Sequence, residues 1–219
     1  MFDAHIHLGG QGDLVPAEAS ALARQAGYRC IALLGRCDQN SLRRIFPPLL
    51  RACNALSLYG EGEALPGVEL VHLPPPLLAE TVTEARGLGA ALVAVHGEFP
   101  GSCVPAGTNL AAIEAGADLL LHPGSLTDND AALAAARNVH LELSLCPRHA
   151  LFNGHIARLA GRHQIPLLTG SNARRPEDLV TLSGRRAILH GAGLADDAIN
   201  RLDEVSLEFI ARKLRKIGR

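Results

Sequence analysis

Short apolar runs alternating with segments of helical pattern constrain this chain more than any other feature. FDAHIHL, YRCIALLG, GVELVHL, AALVAVHG, ADLLLHPG, VHLELSL and IPLLTGS are strand-like, and each is followed by a helical stretch. The first of these helices, within VPAEASALARQAG, has Pro16 in its first turn and Gly27 beyond its end. The helical stretch after the second run is interrupted at Pro47-Pro48, and TDNDAALAAARN enters through a Thr or Asp cap. Another helix begins near RPEDLVTL, and a last one spans roughly Ala195 to Lys216. About seven strand–helix units, with nothing resembling a linker between them, imply a parallel sheet covered on its outer face. A chain of 219 residues fits one such domain, closed as a barrel over residues 1–219. The chain is 47% hydrophobic but only 3% aromatic, so Leu, Ala, Val and Ile must build the core.

Composition excludes several partner classes. A formal net charge of −1 gives no general attraction to nucleic acid or to a membrane, and no basic stripe carries interleaved aromatics. The Lys/Arg-rich end, ARKLRKIGR, reads as the solvated face of the final amphipathic helix. Five scattered cysteines without a C-x-x-C pair argue for reduced thiols, as in the cytoplasm. No signal-peptide pattern precedes FDAHIH, and no apolar run is long enough to span a bilayer. A cytoplasmic protein is therefore expected, and nothing selects a dimer over a monomer.

The chemistry-bearing residues gather where the strands stop being apolar. His5 and His7 end the first run, and residues i and i+2 of a strand share a face. Glu69 and His72 lie in the third unit, His96 and Glu98 in the fourth, and His122 ends the fifth. The sixth contains Glu142 and leads to His149 and His155. In parallel α/β barrels the strand C-termini converge on one face, where catalysis occurs. Imidazoles and carboxylates at successive strand ends favour a divalent metal centre over core packing, with Zn, Fe or Mn all compatible. No P-loop, dinucleotide fingerprint or nucleophile elbow is present. Cys103 and Cys146 fall near the same face, but the sequence pairs neither with a general base.

FDAHIHL, GVELVHLPP, VAVHGE, GTNLAAIEAGADLLLHPG, NGHIARLA and RPEDL, in this order, resemble the PHP (polymerase and histidinol phosphatase) domain family. The likeness is strongest to its small stand-alone, histidinol-phosphatase-like members and covers nearly the whole chain. It implies a distorted (β/α)7 barrel with up to three metals at the strand C-termini and phosphoester hydrolysis by an activated water. Carried over by position, His5 and His7 match the opening ligand pair, Glu69 the bridging carboxylate, and His96 and His122 further ligands. Three positions depart from the family pattern. Leu34-Gly35-Arg36 stands for Thr-Asp-His, Asn172-Ala173-Arg174 for Asp-Ala-His, and Gln11-Gly12 for the Asp-bearing turn after the first strand. The resemblance thus implies one or two ions rather than three, with Asn172 a weak neutral ligand and Arg36 and Arg174 standing in place of the third ion.

The residues leave two classes of function. One is a metal-dependent phosphoesterase acting on a small anionic, phosphorylated substrate. In it Arg36, Arg174 and Asn153 bind substrate, and His72, His149 and His155 contact it or move protons. The same three histidines could instead only support the ligands. The other class is a degenerate barrel that binds a small anion, or catalyses a non-hydrolytic step, without hydrolysis.

Overall fold

In the computed structural model the chain is described at residues 1–8, 14–60 and 62–216. Its elements in order are β1 (Phe2–Leu8), α1 (Pro16–Gln25), β2 (Cys30–Cys37), α2 (Leu42–Tyr59), β3 (Glu63–Leu70), α3 (Leu78–Gly87), β4 (Leu92–His96) and α4 (Thr108–Glu114). Then come β5 (Leu119–Leu121), α5 (Asp128–Arg137), β6 (His140–Ser144), α6 (Pro147–Ala150), α7 (Asn153–His163), β7 (Leu167–Gly170), α8 (Leu182–Gly191) and α9 (Asp196–Lys216). The seven strands are parallel and run in sequence order, each beside the next. A bridge between Ile6 and Ala173, with His7 N–H donating to the Ala173 carbonyl at 2.9 Å, brings β1 back to the segment after β7. The result is a nearly closed, single-domain α/β barrel of TIM type.

Three apolar layers hold it. Outward-facing residues of β3 to β6 pack against α3, α4, α5 and α7, while those of β1 to β3 pack against α1 and α2. The barrel interior holds Phe2, Ala32, Leu34, Leu65, Leu92, Leu119 and Leu168. Phe209 and Ile210 of α9 join that interior cluster, so the final helix plugs the N-terminal end. Its basic end is not wholly solvated. Lys213 is buried and paired with Asp118 at 2.5 Å, because seating Phe209 carries the next helical turn under the barrel. His140 meets Phe209 edge-on at 4.8 Å, and burial, then Arg212 and Lys213, push its imidazole down to about 4.

Three local expectations are corrected. The helix α2 runs unbroken through Pro47 and Pro48. The two lost backbone donors are outweighed by a stripe of Leu42, Phe46, Leu49 and Cys53 buried on one face. The strand β3 starts four residues before GVELVHL and runs across Pro66, whose carbonyl still accepts from Ala91 N–H at 2.9 Å. The stretch at RPEDL forms only a short 3-10 turn over Pro176–Asp178, and α8 starts at Leu182, capped by Thr181.

Candidate metal centre

The site is built from the C-terminal ends of β1, β3, β4, β5 and β6. Between Asp3 and Ile6 the strand β1 carries a bulge: Asp3 pairs with Ile31 but Ile6 with Leu33, so two residues oppose Ala32 alone. Asp3 stabilises it, its Oδ1 accepting from His5 N–H and Ser171 N–H at 3.0 Å each. His5, in the bulge, and His7, beyond it, are both buried in the barrel.

There they meet Glu69. His7 Nδ1 lies 3.2 Å and His5 Nε2 3.9 Å from Glu69 Oε2, and the two Nε2 atoms are 3.1 Å apart. His7 Nε2 also contacts Asn172 Oδ1. His96 Nδ1 donates to Glu69 Oε1 at 2.7 Å. A second carboxylate, Glu142, takes His5 Nδ1–H at 2.8 Å and lies 2.7 Å from His122 Nδ1. His122 stacks on His149 with ring centres 3.7 Å apart and planes 11° from parallel. Phe99 closes over His149 at 4.7 Å. Gly170 leaves the room this needs, since a Cβ there would collide with Glu142 Oε1 and His5 Cβ. Past the strand ends, His72, His122 and Asn172 adopt left-handed backbone at φ 55°, 50° and 55°. Non-glycine residues hold that conformation where the surroundings impose it, often at functional sites.

The electrostatics are those of buried acids facing imidazoles. Burial opposes charge on both carboxylates, but His7 and His5 hold Glu69, and His122 and His5 hold Glu142, well below the usual range. Burial likewise disfavours a charged His5, yet Glu142 and then Glu69 raise it to about 10. His7 and His149 are pushed down to about 3, chiefly by burial, and His122 is lowered for the same reason.

These residues fit a divalent cation. Donor atoms of His5, His7 and Glu69 lie within 4.8 Å of one another, as do those of His5, His122 and Glu142. His122 Nε2 and His149 Nδ1 are buried without a hydrogen-bond partner, while His7 Nδ1 and His122 Nδ1 each face a carboxylate oxygen, of Glu69 and of Glu142. Orphaned lone pairs in the interior are costly unless something binds them, and mixed imidazole and carboxylate donors suit Zn, Mn or Fe. The geometry gives Glu142 a further part. A metal-binding imidazole commonly donates its other N–H to a carboxylate, and Glu142 does this for His5 and faces His122. The sequence signal for it was a lone acid in the middle of an apolar strand.

The remaining expected residues divide. Arg36 Nε reaches within 3.9 Å of Glu69 Oε2, and the charge of Arg174 bears on His7. Gln11 lies outside the described residues. His72 is exposed, with Nε2 3.9 Å from Cys103 Sγ, so this thiol does face an imidazole that the sequence did not pair with it. His155 is not brought into the cluster. It donates from Nε2 to the Leu126 carbonyl at 2.9 Å and accepts from Arg158 at Nδ1. Asn153 spends its amide on Ser144, accepting from N–H at 2.9 Å and donating to C=O at 2.8 Å, which ties β6 to α7. Glu98 is likewise occupied, by Asn109.

With this geometry in place, the comparisons with known proteins bear on the fold. No family model matches the chain. An uncharacterized protein of Methanocaldococcus jannaschii is 29% identical over 219 residues, 99% of each chain. A chain from the structure of archaeal ribonuclease P with mature tRNA superposes with a TM-score of 0.76 at 16% identity, covering 100% of this chain and 94% of that one. The histidinol phosphate phosphatase of Lactococcus lactis, complexed with zinc, L-histidinol and phosphate, superposes at 0.64 with 12% identity, covering 89% and 94%. The fold is PHP-like. Within the PHP-like barrel the His–Glu cluster sits at the strand C-termini, the face that carries active sites in TIM-type barrels. Among the described residues no helix is long and apolar enough to cross a membrane.

Proposed function

We propose that the protein is a metal-dependent hydrolase, a phosphoesterase for a small phosphorylated molecule, built on a mono- or dinuclear centre. The observation that carries this reading is the two buried donor groups, His5, His7 and Glu69, and His5, His122 and Glu142, each with its ligand atoms within 4.8 Å of one another. His5, His7 and Glu69 would hold one ion. His122, His96 and Glu69 would hold another, with Glu142 fixing the His5 and His122 rings. When bound, a divalent ion supplies Lewis acidity and lowers the pKa of water towards neutrality. His149, kept neutral by burial and with Nδ1 lacking a hydrogen-bond partner, would orient the attacking water by accepting a hydrogen bond. Arg36, 3.9 Å from Glu69, and Arg174, whose charge bears on His7, would neutralise the phosphate through guanidinium donors. Asn172 carries no charge, which leaves the first site weaker than one closed by an acid.

The test is metal analysis of the purified protein beside Glu69→Ala and His96→Ala, followed by turnover of p-nitrophenyl phosphate with added Mn²⁺. Near-stoichiometric metal and metal-dependent turnover, both reduced in the variants, are expected. A folded wild type that takes up no metal on reconstitution would overturn the reading. A second reading is a barrel that keeps the framework but serves as a binding subunit for an anionic ligand, nucleic acid included. The full-length likeness to a chain of a tRNA-bound ribonuclease P favours it. Metal uptake without turnover, together with retention of labelled tRNA, would select this alternative.

A further inference from the structure

Val15, Leu58 and Tyr59 are 60%, 71% and 85% exposed, an unusual cost for large apolar side chains, and they share the outer side of α1 and α2. Between these two helices runs a groove of about 520 Å³. Ala17 and Ala21 line it from α1, and Ala52, Ala55 and Tyr59 from α2. Its four alanines leave room for another helix to approach closely.

Helical phase sets a crest on each side of the groove. On α2 the stripe of Leu42, Phe46, Leu49 and Cys53 faces the barrel, and Arg51 and Leu58 stand two turns apart on the opposite side. On α1 the residues Ala19, Ser20 and Ala23 are buried, and Glu18 and Gln25 stand on the exposed side. The ends of α1 and α2 are level, because Arg24 packs against Gly62 just past α2. Counting back along each helix puts Glu18 and Arg51 within about one turn of the same height. Both are exposed, and neither has an ionic partner among the described residues. The groove thus has an acid on one crest and a base on the other.

We propose that this face joins two copies of the chain, the α2 crest of each seated in the α1–α2 groove of the other. A two-fold interface uses the same patch on both subunits, so the patch must hold both the ridge and the groove that receives it. This patch does. With the two-fold axis parallel to the helices, Leu58 and Tyr59 leave water among the alanines of the second copy, the tyrosine acting as the anchor. Arg51 comes up beside the second copy's α1 and meets its Glu18, and symmetry makes that pair twice. Such rim charges choose which faces meet more than they add affinity. The face shares no residue with the metal centre.

The experiment is sedimentation velocity of the full-length protein over a range of concentrations. The wild type is compared with Leu58→Ser/Tyr59→Ser, Glu18→Arg, Arg51→Glu and Glu18→Arg/Arg51→Glu. A concentration-dependent dimer is expected, its dissociation constant raised about tenfold or more in Leu58→Ser/Tyr59→Ser. Each single reversal should weaken it about threefold or more by setting like charges together, and the double reversal should restore it. A wild type that stays monomeric at every concentration overturns the proposal and leaves the face to a different partner. A dimer indifferent to Leu58→Ser/Tyr59→Ser, or one that the double reversal does not restore, overturns it equally. The substituted side chains are exposed, so melting temperature and metal uptake should match the wild type in all variants.

Discussion

Glu142 touches two imidazoles with its two oxygens, His5 at 2.8 Å and His122 at 2.7 Å. In Glu142→Gln one oxygen is replaced by an NH2 group, which donates and cannot accept, and the ring it faced loses its orientation. Loss of such a supporting carboxylate typically lowers metal affinity about 10- to 100-fold. A chelator-competition titration should show that drop while circular dichroism stays native, and unchanged affinity would mean the rings are held by packing alone. A second expectation concerns protons. The extra proton that Glu142 and Glu69 favour on His5, raised to about 10, occupies a ring nitrogen that a metal must take. Apparent metal affinity should therefore rise with pH, by about tenfold per unit for one displaced proton, up to about pH 9. A flat profile in zinc-buffered titrations would contradict this.

At the scale of elements, the loops and caps beyond the strands hold the strand ends in place. The start of α5 shows how local the control is. Thr127 accepts from Asp130 N–H at 3.1 Å while the Asp130 carboxylate returns to Thr127, a complete capping box. Thr127→Ala should cost about 1 kcal/mol in a urea melt with no change in metal content. If metal is lost as well, the loop after β5 is coupled to His122 more tightly than the hydrogen bonds indicate. This cap, the Pro16 start of α1 and the long α9 were all legible in the sequence, because propensity and capping act within a few residues. Other elements were not. The run of α2 through Pro47 and Pro48 depends on the burial of Phe46 and Leu49 against strands, a tertiary gain that outweighs local cost. The duties of Asn153 and His155 were hidden for the same reason, since their partners, Ser144 and Leu126, are fixed only when α7 docks.

At the scale of the whole molecule, α9 is the plug. Phe209 sits 6.1 Å from Phe2 at the barrel entrance, and Arg185, a buried residue of α8, ties Thr169 of β7 to Asp203 of α9 at 3.0 and 2.8 Å. Phe209→Ala should destabilise by about 3 kcal/mol, lowering the melting temperature by about 10 °C. A shift below about 2 °C would mean that the cavity collapses freely. Acid acts on the metal-free protein through the site itself. His7 and His149, lowered to about 3 from 6.5, stay neutral in the fold while the unfolded chain takes up protons. Glu69 and Glu142 lose their stabilising charge as the pH falls through their lowered values. The histidine contributions make stability fall with pH below about 6.5, and the carboxylate contributions add to the fall below about 4.5. His5 acts the other way. Its contribution is complete below 6.5 and is lost as pH rises through about 10. Urea melts in EDTA should therefore show greatest stability near neutrality, with losses at about pH 4 and about pH 10, and equal midpoints would refute the assignment.

By itself the sequence determined the class of fold and most of the candidate site. The alternation of apolar strands with helices is a local, repeated signal, and a parallel barrel brings every strand C-terminus to one face whatever the loops do. That is why His5, His7, Glu69, His96 and His122 could be grouped before any distance was known. Only the tertiary structure decided the rest. The bulge at Asp3, the two-sided role of Glu142, the opening left by Gly170 and the burial of Lys213 each depend on atoms far apart in sequence. Residues 137 positions apart, such as His5 and Glu142, become partners through barrel closure, and no local propensity encodes that contact.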